Sequence, residues 1–271
     1  MGTPLKDWDI NIYRGVLTGY NEAFIISTEK RDEILSNCRS DDERQRTAEL
    51  IRPILRGRDI KRYGYDWAGL WLIYIPWHFP YQFDSTIQGA SEKAEKAFRE
   101  QYPSVYSYLL KFKIPLSKRN KAETGIRYEW YAMQRWGAKY WDDFNKPKIC
   151  WASVGDTSYS LVPKEYLLLD TNYFFSIENP SELLAILNSK LITWWIKSED
   201  TQLGNGGAWR HYKYNLEKLH IPKTHNLFHD LIENIMTDNK LSDSIYKINQ
   251  IVYKLYQLTN EEIRYIEERE K

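Results

Sequence analysis

Cations and aromatic rings stand together in this sequence, in the pattern that suits a polyanion carrying flat bases. Between Arg52 and Arg62 lie Arg52, Arg56, Arg58, Lys61 and Arg62 against one acid, Asp59. From Lys111 to Lys121 lie Lys111, Lys113, Lys118, Arg119 and Lys121 with no acid at all. Charge and ring then alternate through Arg127, Tyr128, Trp130, Tyr131, Arg135 and Trp136, and again through Trp209-Arg210-His211-Tyr212-Lys213. Lys and Arg neutralise phosphates and orient a protein on nucleic acid, Arg and Asn or Gln read base edges, and Tyr or Trp stacks on a base. Candidate phosphate or base contacts are Lys118, Arg119, Lys121, Arg127, Arg135, Arg210 and Lys213, with His211 beside them. Tyr128, Trp130, Trp136, Trp209 and Tyr212 are candidate rings against sugar or base. The same runs also suit a solvated helix face, and the same rings a core.

Other patterns bring catalysis to mind and stop short of it. Asp59-Ile60-Lys61, with Asp41 or Asp42 upstream, fits the acid and acid-x-Lys pattern that holds Mg2+ in nucleases, but the match is only three residues long. His225 and His229 have the i, i+4 spacing of helical metal ligands, without a Cys or carboxylate set in the sequence to complete them. Asn179-Pro180-Ser181-Glu182 lacks the second proline and the aromatic of the Asn-Pro-Pro-aromatic motif that holds a flipped base, and reads as a helix cap. Gly204-Asn205-Gly206-Gly207 follows no clear strand, so it reads as a turn or a close backbone approach rather than a cofactor loop. No Ser/His/Asp or Cys/His set stands out. The expectation is a chain with no catalytic residue, metal or cofactor of its own.

The totals narrow the classes. A chain of 271 residues with 42% hydrophobic residues can bury a large core, as one large domain or two small ones. Aromatic residues make up 15%, with 11 Trp, 21 Tyr and 9 Phe, and serve cores, base stacking and sugar stacking alike. The net charge of +1 excludes the global basic field of a non-specific DNA coat protein, so a polyanion would have to meet a local patch. Acids cluster at the end, with Glu261, Glu262, Glu267, Glu268 and Glu270 offsetting the basic middle. Cys38 and Cys150 form no disulfide framework and fit a reducing cytoplasm. The most apolar stretch, Leu191 to Ile196, is far shorter than a membrane span, and Met1-Gly2-Thr3-Pro4 begins no signal-like apolar region.

Elements must position these residues. Ala23 to Ile26 and Leu70 to Ile75 read as buried strands, the second central in a sheet. Ser40 and Glu43 form a capping box for a helix carrying Leu50 and Ile51 and stopping before Pro53. Helices are expected from Ser91 to about Gln101 and from Pro103 through Leu110. Lys148 to Val154, Tyr159 to Val162 and Tyr173 to Ile177 read as strands, and Asn179-Pro180 opens a helix through Leu191. Two helices close the chain, from about Leu241 to Leu258 and from a Thr259/Glu262 cap. The fold class is α+β, with mixed twisted sheets, flanking helices and a C-terminal helical segment. Residues 1–240 form the expected recognition domain, and 241–271 a helical tail packing on it or on a partner domain.

Several blocks resemble one family. Arg14-Gly15 with Thr18-Gly19-Tyr20-Asn21-Glu22-Ala23-Phe24 looks like the opening of the TaqI-like C-terminal specificity domain, and Ile54 to Tyr63 resembles its LRGRDI.RY block. Glu129-Trp130-Tyr131, Asn145 to Ile149 and Leu184 to Leu191 match further segments of the family, so the similarity runs from about Tyr13 to Pro222. The resemblance implies a target recognition domain of a restriction–modification enzyme that reads double-stranded DNA and positions an adenine for a separate methyltransferase domain. S-adenosylmethionine, and Mg2+ where a nuclease is fused, would then belong to those other domains. Within the block, Arg56, Gly57, Arg58 and Asp59 read as structural, with an Arg–Asp pair holding the loop. Two other classes stay open: an interaction scaffold of a phage-defence complex, and a carbohydrate-binding module.

Overall fold

A computed structural model describes residues 2–204, 207–237 and 241–270. Strand Lys148–Ala152 is interior to a four-stranded antiparallel sheet, in the order Tyr13–Arg14, Asn172–Phe175, Lys148–Ala152, Ser160–Val162. Side chains alternate along a strand. Cys150 and its cross-strand partner Phe174 therefore enter one core, while Ile149, Trp151 and Phe175 enter another. Burying each phenylalanine stabilises by roughly 1.5–3 kcal/mol.

The first core lies against a second sheet, ordered Ile25–Ser27, Leu70–Ile73, Ile51–Leu55, Leu167–Leu168, in which only the last pairing is parallel. Helices Glu92–Gln101 and Pro103–Leu110 add Phe98, Val105 and Leu109 to it. The second core is helical: Pro180–Leu187, Lys190–Glu199, His229–Met236, Leu241–Leu255 and Asn260–Arg269 contribute Leu183, Ile192, Ile232, Val252 and Ile266. A small sheet of Thr201–Leu203, Ala208–Arg210 and Val154–Gly155 projects beyond the central one, and Thr3–Pro4 pairs with His220–Ile221. This is an α+β architecture, and no helix among the described residues is long and apolar enough to cross a membrane.

The C-terminal helices join the second core. Asn249 Oδ1 accepts from Lys190 N at 2.8 Å, and Glu267 accepts from Tyr253 Oη at 2.8 Å and Lys190 Nζ at 2.5 Å. The expected boundary at residue 240 lies outside the described residues.

Local readings differ in instructive places. Ala23 and Phe24 sit in the helical turn Asn21–Phe24, and the strand starts only at Ile25; Thr18 Oγ1 fixes this turn by donating to Asn21 Oδ1 at 2.6 Å. Ser40 does cap its helix, but Glu43 reaches Arg39 N at 2.8 Å and Ser104 N at 3.0 Å instead of closing the box. That helix ends at Leu50, and Ile51 already belongs to a strand that includes Pro53. The helix expected through Leu191 is two helices, broken at Asn188-Ser189, where Ser189 Oγ caps Ile192 N. Asn179 stands at the start of the first without a side-chain capping bond.

Lys148 is the costly member of the central strand. It is 1% exposed, and Nζ donates to the carbonyls of Pro163 and Tyr166, both at 3.2 Å. Burial lowers its pKa from 10.5 to about 8. Between those values the unfolded chain holds the proton more tightly, so stability should rise with pH, by up to about 1.4 kcal/mol per unit, while below pH 8 the penalty is fully present. Urea midpoints measured at pH 7.5 and pH 9.5 should show this rise in the wild type and a flatter response in Lys148→Met. An equal rise in both would assign the slope to another group.

Candidate nucleic-acid interface

The Arg56–Asp59 turn is pinned from within. Arg56 donates through Nε and Nη2 to the two Asp59 oxygens at 3.0 and 2.7 Å, and its backbone N donates to Asp59 Oδ2 at 2.8 Å. Asp59 is 4% exposed, so this is a paired and almost wholly buried carboxylate. Gly57 N donates to Thr171 Oγ1 at 2.9 Å, docking the turn on the loop before strand Asn172–Phe175. The Arg58 side chain, between the two pinned residues, is exposed and meets no hydrogen-bond or ion-pair partner among the described residues. The Asp-Ile-Lys pattern is thereby accounted for: Asp59 is occupied by Arg56, and Lys61 Nζ donates to Arg58 O at 3.2 Å.

From this turn a line of backbone bonds links the loops at one end of the central sheet's strands. Leu17 and Arg135 exchange both bonds at 2.9 Å, Asp170 N reaches Val16 O at 2.8 Å, and Leu169 N reaches Leu55 O at 3.0 Å. Ser153 N donates to Thr171 O at 2.7 Å, and His211 N to Ser153 O at 3.0 Å. Gly15 lies in the tightest crossing: a Cβ there would sit 2.1 Å from Leu169 O, so no side chain fits. Along this track stand the exposed cations Arg135, Arg14, Arg58 and Arg210. Arg14 meets Asp170, with Nε donating to its carbonyl at 2.6 Å and Nη2 3.7 Å from its carboxylate. Sequence reasoning left Arg14 out of the candidate contacts although its Arg-Gly pair was visible.

Arg119 extends the track by being used internally. Its guanidinium donates to Thr18 O at 2.6 Å, to Trp130 O at 3.1 Å and to Ala132 O, and burial lowers its pKa to about 10. It therefore holds the aromatic segment against the Thr18 turn instead of facing solvent. Its neighbours Lys118 and Lys121 are exposed and meet no ion-pair partner among the described residues.

The structure divides the remaining candidates in the same way. Tyr128 is 0% exposed, stacks on Trp77 with centroids 4.8 Å apart, and accepts from Thr124 Oγ1 at 3.1 Å. Trp130 is 7% exposed and donates to Glu95 at 2.7 Å; Trp136 is also 7% exposed, and its carbonyl accepts from Tyr74 Oη. These rings are core residues. Arg127 is exposed but paired with Glu123 at 2.9 Å, and Lys213 pairs with Glu217 at 3.3 Å. His211 is buried, its Nδ1 2.7 Å from Asp200 Oδ2, and Asp200 also accepts from Tyr212 N and Asn215 Nδ2. This cluster anchors the base of the Thr201–Leu203/Ala208–Arg210 hairpin. Trp209 and Tyr212 are half-buried, Tyr212 stacking on Tyr214 at 5.2 Å.

Two further motifs take their own places in the fold. Gly204 and Gly207, with φ of +62° and +73°, turn an antiparallel hairpin rather than lead a strand into a helix, so they do not fit a cofactor loop; Asn205 and Gly206 lie outside the described residues. The metal-ligand group found among the described residues joins His229 not to His225 but to Asp230 and Glu233, all exposed, with ligand atoms within 4.8 Å of one another. It lies on helix His229–Met236, whose Ile232 and Ile235 enter the second core.

A family model for the TaqI-like C-terminal specificity domain matches residues 52–221. The chain belongs to this family. The match takes in the pinned Arg56–Asp59 turn, the basic and aromatic segments, the central strands and the hairpin, whereas the Arg14 to Phe24 block precedes it. Two solved structures are similar to this specificity domain. One is the type IIL restriction–modification enzyme MmeI in complex with DNA, at 11% identity and TM-score 0.56, covering 94% of this chain and 34% of that one. The other is the type IIG restriction endonuclease BpuSI, at 12% identity and TM-score 0.49, covering 88% of this chain and 26% of that one. The likeness to MmeI is one of fold, and the specificity domain here spans about a third of its length. A sequence comparison with curated proteins gives no match.

Because Arg119 serves three buried carbonyls, Arg119→Met should lower stability by about 3 kcal/mol, as stranded polar groups cost about 1–3 kcal/mol each. Lys121→Met should change the unfolding free energy from urea titration by less than about 0.5 kcal/mol, as for an ordinary surface site. Equal effects from the two would remove the distinction drawn between them.

Proposed function

We propose that the chain is the DNA-reading module of a restriction–modification enzyme, and that the track from Lys118 and Lys121 through Arg135, Arg14 and Arg58 to Arg210 faces the duplex. Membership of the specificity-domain family supports the role. The observation that carries the surface is that Lys118, Lys121, Arg135, Arg58 and Arg210 are exposed with no acidic partner among the described residues, Arg135, Arg58 and Arg210 standing on the loop, turn and strand end that the bonds described above tie together. Cations left unpaired on a rigid frame cost little to bring to phosphates and release counterions when they arrive. Arg58 and the hairpin cation Arg210 are suited to base edges, since each projects from a fixed turn or strand.

In this reading the module acts in the cytoplasm and places one adenine before a methyltransferase domain that binds S-adenosylmethionine; a nuclease domain, where present, would bring Mg2+. The methyltransferase domain also supplies part of the grip on DNA. The likeness in fold to MmeI, a restriction–modification enzyme solved in complex with DNA, supports DNA as the partner.

Selection from randomised duplexes at two salt concentrations tests the proposal. A specific sequence should be enriched, and affinity should fall with salt. Arg58→Ala, Arg135→Ala and Arg210→Ala should each weaken binding and lower the slope of log affinity against log salt by up to about 0.9 wherever the lost cation met a phosphate. Affinity that ignores salt, with no sequence enriched, would refute the reading.

A further inference from the structure

The hairpin Thr201–Leu203/Ala208–Arg210 presents more than a lone cation. Its register sets Thr201 opposite Arg210, and Arg210 in turn opposite Val154 on the third strand. Residues directly opposite one another share a face of the sheet, with Cβ atoms about 4.5–5.5 Å apart. Thr201, Arg210 and Val154 therefore form one row across three strands, and all three are exposed, Val154 to 45%. The neighbouring row, Gln202, Trp209 and Gly155, belongs to the other face, where Trp209 is half-buried.

The exposed row is seated on a clamp. Next to its members, away from the hairpin tip, stand Asp200, His211 and Ser153. His211 Nδ1 lies 2.7 Å from Asp200 Oδ2, Asn215 Nδ2 donates to Asp200 Oδ1 at 2.9 Å, and His211 N donates to Ser153 O at 3.0 Å. The Asp200 and His211 side chains are 1% and 4% exposed, so the clamp is buried while the row beside it faces solvent. No acid pairs with Arg210 among the described residues: Asp200 is taken up by the clamp, and Asp156 accepts from Thr157 N at 2.8 Å. Thr201 Oγ1 lies 3.4 Å from Tyr212 Oη, so that hydroxyl is engaged within the protein. Arg210 and Val154 are left to meet a ligand.

The two side chains have different and specific complements in duplex DNA. Three strands about 4.8 Å apart span about 10 Å, within the roughly 12 Å width of the major groove. Guanine alone presents two acceptors side by side there, O6 and N7, which match the paired donors of a guanidinium. Adenine offers an acceptor beside a donor, cytosine a donor, and thymine an acceptor beside its methyl group. That C5-methyl is the apolar group on which a valine can pack. A valine about 5 Å from the arginine, against a base step of about 3.4 Å, reaches a neighbouring base pair.

Resting on the DNA reading proposed above, we infer that Arg210 and Val154 form a composite site for a guanine with a thymine in an adjoining base pair. Arg210 donates to guanine O6 and N7, and Val154 packs on the thymine methyl. The buried clamp fixes the backbone from which both reach.

Selection from randomised duplexes by the full chain and its variants tests the site. The wild-type sequence should contain a guanine beside a thymine, and Arg210→Gln should cut the preference for that guanine at least about tenfold, at a single position. Replacing the adjoining thymine by deoxyuridine removes only the methyl and should weaken wild-type binding about fourfold. Val154→Ser should bind the two duplexes alike, and Gln202→Ala, on the opposite face, should select the wild-type sequence. Matching circular dichroism melts check that each variant folds. If Arg210→Gln weakens every duplex alike and lowers the slope of log affinity against log salt, Arg210 is a phosphate contact and the inference is overturned. A deoxyuridine effect kept in Val154→Ser, a relaxed sequence in Gln202→Ala, or a selected site without the guanine–thymine step overturns it too. The two failures are distinguishable. A wild type that enriches nothing refutes DNA reading itself, whereas a sequence enriched equally by wild type and Arg210→Gln refutes only this site.

Discussion

Every residue of strand Lys148–Ala152 is buried, so both faces of the sheet it anchors must be covered by the rest of the chain. The alternation of side chains along the strand sends Cys150 one way and Ile149 and Trp151 the other. From that requirement the two cores follow, a sheet-and-helix layer on one side and a helical layer on the other. It also places the loops at the strand ends, where Ser153, Thr171 and the Arg56–Asp59 turn meet. Whatever displaces the central strand disturbs both cores together.

The basic residues divide along the same line. Arg56, Arg119 and Lys148 spend their donors on a buried carboxylate or on carbonyls, and Arg62 does the same toward Asn188 O and Thr193 Oγ1 at 3.1 Å. These cations are part of the frame. Their immediate neighbours Arg58, Lys118 and Lys121 are left to solvent. A basic run in the sequence is thus two populations interleaved residue by residue, and only one is available to an external anion.

Sequence reading reached the class of the fold because its evidence is local. Pro103 and Pro180 open helices where a proline at the first helical position belongs, and Thr259 with Glu262 forms a complete capping box. It also reached the Arg56–Asp59 pair, whose partners are three residues apart. It did not reach the role of Arg119, whose acceptors lie at Thr18, Trp130 and Ala132, because those distances exist only once the chain has folded. The rings failed as markers for a similar reason. Tyr128 and Trp130 have the composition of a stacking platform, and only tertiary packing assigns them to the interior. The Ser40/Glu43 box was half legible, since Glu43 gives up its local partner for Ser104 on another helix.

The pinned turn has a consequence for how such a chain can change over generations. Arg56 and Asp59 satisfy each other, Gly57 is tied to Thr171, and the Arg58 side chain takes no part in holding the loop. A residue carried at a fixed place but owing nothing to the fold can be exchanged without loss of foldability. The turn thus uncouples what the surface presents from what keeps the chain folded, a separation that lets new surfaces arise by single substitutions on an unchanged scaffold.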